Sequence, residues 1–94
     1  MPRFSILQPV RECYVCGNRN THIHEVYFGK NRKNSIEDGC CIYLCPIHHN
    51  MSSQGIHFNH DLDIKVKQEM ERKWLEYYNK TIEDFIKRYG KNYL

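Results

Sequence analysis

The chain has no long apolar run. Its uninterrupted apolar stretches are only a few residues, far short of the roughly 20 that a membrane-spanning helix needs, so no transmembrane helix is expected. The opening residues, MPRFSILQPVREC, lack an apolar h-region and a small-residue cleavage site, and predict no secretory signal. There is no internal repeat, no low-complexity segment and no coiled-coil heptad pattern. The cysteines number five, which is odd. Without an export signal, that count argues against a disulfide framework, and in a reducing compartment clustered Cys and His point to metal instead. The last absence is regional: residues 61–94 contain neither Cys nor His, so all five cysteines and all six histidines lie in residues 1–60.

What is present fits one domain. Ninety-four residues, 40% apolar and 27% charged, read as globular rather than disordered. A core this small is marginal unaided, and such chains often add a metal. The net charge of +3 is a mild excess, but it is unevenly placed. Residues 1–36 carry Arg3, Arg11, Arg19, Lys30, Arg32 and Lys33 against Glu12 and Glu25, whereas the remainder holds eight basic and nine acidic residues. The Cys/His half is therefore the basic half, which suits a phosphate backbone.

The two regions predict different structure. From residue 61 on, Leu62, Val66, Met70, Trp74, Tyr77 and Tyr78 recur at spacings of three and four, which places them on one helix face over 61–78. Asn59 or Asp61 is positioned to cap its start. Thr81-Ile-Glu-Asp84 resembles a capping box, Ile82, Phe85, Ile86 and Tyr89 form the next apolar stripe, and Gly90 suits a C-terminal cap, giving a second helix over 82–89. The aromatic stripes read as core, and the tail is expected to pack across the metal region. In residues 1–60, Thr21 to Phe28 alternates as a strand does, Gly29 to Gly39 reads as a polar, basic loop, and Cys40 to Leu44 as a short buried strand. Pro46 opens a short helix to about residue 53.

Two side-chain groups carry chemistry. Cys13-Tyr-Val-Cys16 and Cys45-Pro-Ile-His48 are ligand pairs, each separated by two residues. That spacing lets one tight turn aim two ligand atoms at one ion, and two such turns complete a tetrahedron. Gly17 follows the first pair, where a knuckle can use positive φ. A structural zinc on Cys13, Cys16, Cys45 and His48 is expected. Cys40 and Cys41 are competing ligands, but their strand sends at least one into the core. The second group is what zinc leaves over: His24 and Glu25 on the first strand, His49 on the short helix and His57 beyond it. Neighbouring helix residues point about 100° apart, so His48 can face the zinc while His49 faces a second ion.

At these residues the chain resembles HNH (ββα-metal) endonucleases with a zinc knuckle. The motif runs through Cys13–Cys16, His24-Glu25, Leu44-Cys45-Pro46-Ile47-His48-His49 and His57. The stretches HEVYFGKNRKNS, LCPIHH, GIHFN and FIKRYGKNYL look like a narrower group, the small phage-encoded HNH-type proteins related to recombination-enhancing nucleases. The resemblance covers nearly the whole chain. It implies a small α+β fold: a zinc-bound, treble-clef-like ββα-metal core in residues 1–60, with two C-terminal helices in residues 61–94.

The resemblance further implies that His24, His49 and His57 hold a catalytic divalent ion, namely Mn2+, Mg2+, Ni2+ or Zn2+, in addition to the structural Zn2+. The residue after His24 is usually the histidine that acts as general base. Here it is Glu25, so either Glu25 or His24 takes the proton. The family's middle Asn usually falls where this chain has Cys40, which leaves Asn31 and Asn34 as substitutes. The implied activity is metal-dependent hydrolysis of nucleic-acid phosphodiesters, DNA before RNA. Arg19, Lys30, Arg32 and Lys33 would grip the backbone with little sequence specificity. The implied setting is the host bacterial cytoplasm, alone or beside a recombination or packaging protein. A noncatalytic zinc module binding nucleic acid or protein is the alternative, and it needs the Cys13/Cys16/Cys45/His48 set but neither His49 nor His57. A third expectation is an inhibitor or adaptor with purely structural zinc, favoured by a long exposed apolar patch on the 61–78 helix.

Overall fold

The computed structural model describes residues 3–50 and 55–94. Its elements are β1 (His22–Glu25), a 3-10 turn (Gly29–Asn31), α1 (Arg32–Asp38), β2 (Cys41–Leu44), α2 (Pro46–His49), a second 3-10 turn (Ile56–Phe58), α3 (His60–Tyr78) and α4 (Ile82–Tyr89). This is a small α+β arrangement: one antiparallel pair, four helices and two Cys/His clusters. Among the described residues no helix is long and apolar enough to cross a membrane.

The two strands pair in the register His22↔Leu44, Ile23↔Tyr43, His24↔Ile42 and Glu25↔Cys41. β1 is shorter than the expected Thr21–Phe28. Val26 still donates to the Cys40 carbonyl at 3.0 Å, but Tyr27 then leaves the ladder for the core. Its ring centroid lies 4.6 Å from that of Tyr89, and its hydroxyl donates to the Lys67 carbonyl at 2.7 Å. Cys40 and Cys41 are both fully buried. The Cys40 sulfur lies 3.5 Å from the Tyr89 hydroxyl, and the Cys41 thiol donates to the Phe4 carbonyl at 3.2 Å.

The expected loop from Gly29 to Gly39 is corrected to a 3-10 turn followed by a helix. α1 has no apolar stripe. It is held by polar contacts to distant residues: Asn31 Nδ2 donates to the Tyr89 carbonyl, Asn34 Nδ2 to the Arg88 carbonyl and Ser35 Oγ to the Cys40 carbonyl. Asp38, at its end, accepts from Trp74 Nε1 at 2.9 Å, Arg88 Nε at 2.6 Å and the Tyr89 hydroxyl at 2.7 Å.

α3 and α4 lie where the periodicity predicts. Asn59, not Asp61, caps α3, its Oδ1 accepting from Leu62 N at 3.1 Å. Thr81 and Asp84 form the capping box, and Gly90 takes the left-handed cap conformation. The stripes are narrower than expected. Val66, Met70 and Trp74 are buried at strict four-residue spacing, as are Phe85 and Tyr89. Tyr77, Ile82 and Ile86 stand exposed at 55%, 38% and 39%. One core cluster joins Val66, Met70, Trp74, Phe85 and Tyr89 to Ile42, Leu44, Cys13 and Cys45, so the tail does pack against the knuckle. α2 stops at His49, and the rest of the helix expected to residue 53 lies outside the described residues, apart from Asn50, which caps it.

Candidate metal centres

The first centre is built by two tight turns. Gly17 N donates to the Cys13 carbonyl at 2.8 Å, and Gly17 sits at φ 78°, the left-handed region that favours glycine. Tyr14 N donates to the Tyr43 carbonyl at 2.7 Å, fastening this knuckle to β2. The other turn is the start of α2: His48 N and His49 N both donate to the Cys45 carbonyl, with Pro46 in the first helical position.

The ligand atoms of Cys13, Cys16, Cys45 and His48 all lie within 4.8 Å of one another. The Cys16 and Cys45 sulfurs are 3.7 Å apart, and His48 Nδ1 lies 3.7 Å from Cys13 Sγ and 3.2 Å from Cys45 Sγ. A tetrahedron with Zn–S of about 2.3 Å and Zn–N of about 2.0–2.1 Å has edges of roughly 3.8 Å (S–S) and 3.6 Å (S–N). The residues fit zinc. The Cys13 thiol is also primed for a cation. Burial pushes Cys13 up, but backbone N–H groups of Cys45, Cys16 and Val15 outweigh it and hold the thiol down at about 6. The Asn18 N–H favours the Cys16 thiolate, yet burial and the neighbouring Cys13 and Cys45 sulfurs win, and Cys16 goes up.

The second centre brings together His24 from β1, His49 from α2 and His57 from the Ile56–Phe58 turn, again with ligand atoms within 4.8 Å of one another. Close approach of Gly55 makes this convergence feasible: a Cβ there would lie 2.8 Å from the His49 carbonyl oxygen. His57 Nε2 is 3.1 Å from His49 Nε2, near the roughly 3.3 Å edge of an imidazole tetrahedron with metal–nitrogen bonds of about 2.0–2.1 Å. His24 Nε2 is buried and has no hydrogen-bond partner, as a lone pair reserved for an ion would be. Burial, then the neighbouring His57, His49 and Lys67, push the His24 imidazole down to about 3. Burial and the facing His57 and His22 lower His49 as well. Both shifts favour neutral, ligand-competent rings.

His22 escaped the sequence reading. It lies two residues before His24, hence on the same face of β1, and its Nδ1 is 3.1 Å from His49 Nδ1. His49 thus presents Nε2 to His57 and Nδ1 to His22. Strand alternation alone would have found it. Glu25 is placed differently from the expectation. It stays outside the histidine group, paired across the ladder with Cys41, and its Oε2 accepts from Arg3. His24, Glu25, His49 and His57 share a pocket with Phe28 and Arg32. Of the four expected backbone-gripping cations, Arg32 lines this pocket, while Arg19, Lys30 and Lys33 are exposed on the surface. Asn31 and Asn34 point instead to α4, through the carbonyls of Tyr89 and Arg88. No protein-family model, no curated protein and no solved structure matches the chain.

Proposed function

We propose that the chain is a metal-dependent HNH-type nuclease, a treble-clef-like ββα-metal unit with a structural zinc that hydrolyses phosphodiester bonds of nucleic acid, DNA before RNA. One observation carries this reading: three imidazoles, His24, His49 and His57, converge beside a Cys3His knuckle in a pocket that Arg32 also lines. Three protein ligands are the pattern of a catalytic rather than a closed structural site. A divalent ion held there supplies Lewis-acid stabilisation of phosphodiester oxygens. Imidazole donors favour Zn, Ni or Mn over Mg. Arg32 binds a non-bridging phosphate oxygen, and Lys30 and Lys33 extend the grip along the backbone.

Position 25 suits the base less well, because Arg3 pairs with Glu25 Oε2, although Oε1 has no hydrogen-bond partner. His24 does not suit it, because its Nε2 is buried among the ligands. His22 is exposed and lies against His49, and an imidazole accepts protons near neutral pH better than a carboxylate does. We assign His22 the proton from the attacking water. The alternative, a noncatalytic zinc module, draws on the same Arg3–Glu25 pair, which engages one oxygen of the carboxylate that follows His24.

The test is cleavage of supercoiled plasmid and of single strands with added Mn2+, Mg2+, Ni2+ or Zn2+. The variants are His49→Ala, His22→Ala and Glu25→Ala, each verified as folded and zinc-loaded. Cleavage should vanish in His49→Ala, fall about 10²- to 10⁴-fold in His22→Ala and survive in Glu25→Ala. A folded, zinc-loaded wild type that cuts nothing with any of the metals refutes the nuclease and leaves the binding module.

A further inference from the structure

The pocket of the three histidines continues past them. Phe28 and His57 line both that pocket and an adjoining groove, whose other walls are Ile56, Phe58, His60 and Asp63. Two aromatic rings stand there facing solvent, Phe28 at 49% and Phe58 at 66% exposure. Isolated exposed apolar side chains are ordinary and mean nothing by themselves. These two flank one site. The Phe28 ring lies 6.3 Å from the His24 ring, and Phe58 directly follows His57. The core takes the faces of Tyr27 and Phe85 instead.

The surroundings are cationic. Arg32 lines the histidine pocket, and Lys30 and Lys33 are exposed on the same turn and helix that follow Phe28. Lys67 Nζ lies 4.5 Å from the Phe28 ring centroid. Asp63, the acid in the groove wall, is paired with Lys67 at 2.8 Å, so the two cancel and the net positive charge comes from Lys30, Arg32 and Lys33. Rings open to solvent beside a positive, phosphate-attracting surface are the two components of a site for unpaired nucleotides. In a duplex each base face is covered by its neighbour, so Phe28 and Phe58 would find nothing to stack on. In a single strand the base faces are free, and every base offers one.

We infer that this groove seats unpaired bases on Phe28 and Phe58, and that the substrate class is single-stranded nucleic acid. The inference rests on the nuclease reading for what happens next to the groove, but its binding claim stands by itself.

The experiment measures binding by fluorescence anisotropy, using the full-length zinc-loaded chain with no other divalent ion added. The probes are a labelled oligothymidylate of about 20 nucleotides, longer than typical sites of about 4–16, and a hairpin duplex with equal phosphate count. Inorganic polyphosphate serves as a base-free competitor. The oligothymidylate should bind at least about tenfold tighter than the duplex. Phe28→Ala and Phe58→Ala should each weaken it about 5- to 140-fold, which is ~1–3 kcal/mol per stacked base at ~1.4 kcal/mol per tenfold. Neither should alter duplex or polyphosphate binding, and Phe58→Tyr should keep wild-type affinity.

Phe28 is half-buried, so the exposed Phe58 decides if the Phe28 variant misfolds. Equal affinity for single strand and duplex, unchanged oligothymidylate binding in Phe58→Ala, or no oligothymidylate binding overturns the inference. Adding Mn2+ separates the two claims. Metal-dependent cutting with ring-independent binding refutes the stacking groove and leaves the nuclease. Ring-dependent binding with no cutting under any metal keeps the groove and refutes the nuclease.

Discussion

Replacing Asp38 by Ala should destabilise the protein far more than a change at the end of a short polar helix would suggest. The Asp38 carboxylate receives Trp74 Nε1 at 2.9 Å, the Tyr89 hydroxyl at 2.7 Å, Arg88 Nε at 2.6 Å and Arg88 Nη2 at 2.9 Å. Trp74 and Tyr89 are buried at 4% and 2% exposure, but the Tyr89 hydroxyl keeps the Asn34 carbonyl, 3.1 Å away, as a second acceptor, so Trp74 Nε1 is the buried donor that loses its partner. A buried donor left unsatisfied costs about 1–3 kcal/mol, and that is the loss expected at Trp74. The Arg88 side chain is 33% exposed, so its pair is screened and adds little. We expect about 2–3 kcal/mol for Asp38→Ala, and about half that for Asp38→Asn, which keeps the shape and one acceptor. Urea unfolding at saturating zinc and neutral pH measures it: with m near ~1.5 kcal/mol/M the midpoint should fall by about 1.3–2 M at constant m. A loss under ~1 kcal/mol for Asp38→Ala would show that the four donors are satisfied elsewhere, and would refute the view that a polar hub seats α1.

Two further outcomes follow from the metal centres. Stripping zinc with a strong chelator should abolish the far-UV helical signal, and returning zinc should restore it. A structural zinc is worth an apparent ~10–16 kcal/mol, as much as the whole stability of a domain this size, ~5–15 kcal/mol. A fully helical, metal-free protein would refute this. The His24 imidazole, pushed down to about 3 by burial first and then by His57, His49 and Lys67, binds its proton only in the unfolded chain between that value and about 6.5. Acid therefore favours unfolding across this window. With only the zinc site loaded, the wild type should lose about 1 kcal/mol more than His24→Gln between about pH 7 and about pH 5.5, and parallel stability curves for the two proteins would contradict the burial of a neutral ring.

What could be read in advance was what depends on near neighbours in the chain. The knuckle was legible because two ligands in one turn must be close in sequence, and Cys13, Cys16, Cys45 and His48 do converge. α3 and α4 were legible because a helix displays its buried face every three to four residues, although the stripe overstated the burial of Tyr77, Ile82 and Ile86. α1 was not legible. Its residues are polar, its apolar period is missing, and its partners Trp74, Arg88 and Tyr89 lie 36 to 51 residues away in sequence. Such polarity is what a loop also shows, yet here the polar groups are spent on hydrogen bonds to distant residues.

The same distance in sequence explains how a tail with neither Cys nor His can matter to chemistry it does not touch. α1 carries Arg32 into the histidine pocket, and α1 is seated by α3 and α4 through Asp38, Asn34 and Asn31. Lys67 of α3 reaches Phe28 at the rim of that pocket, and contributes to lowering His24 inside it. The knuckle and the strand pair bring the imidazoles together. The two C-terminal helices set the cation and one of the rings around them. A truncation after residue 60 would therefore remove none of the Cys and His side chains of the two clusters, and would still dismantle the pocket wall that Arg32 lines.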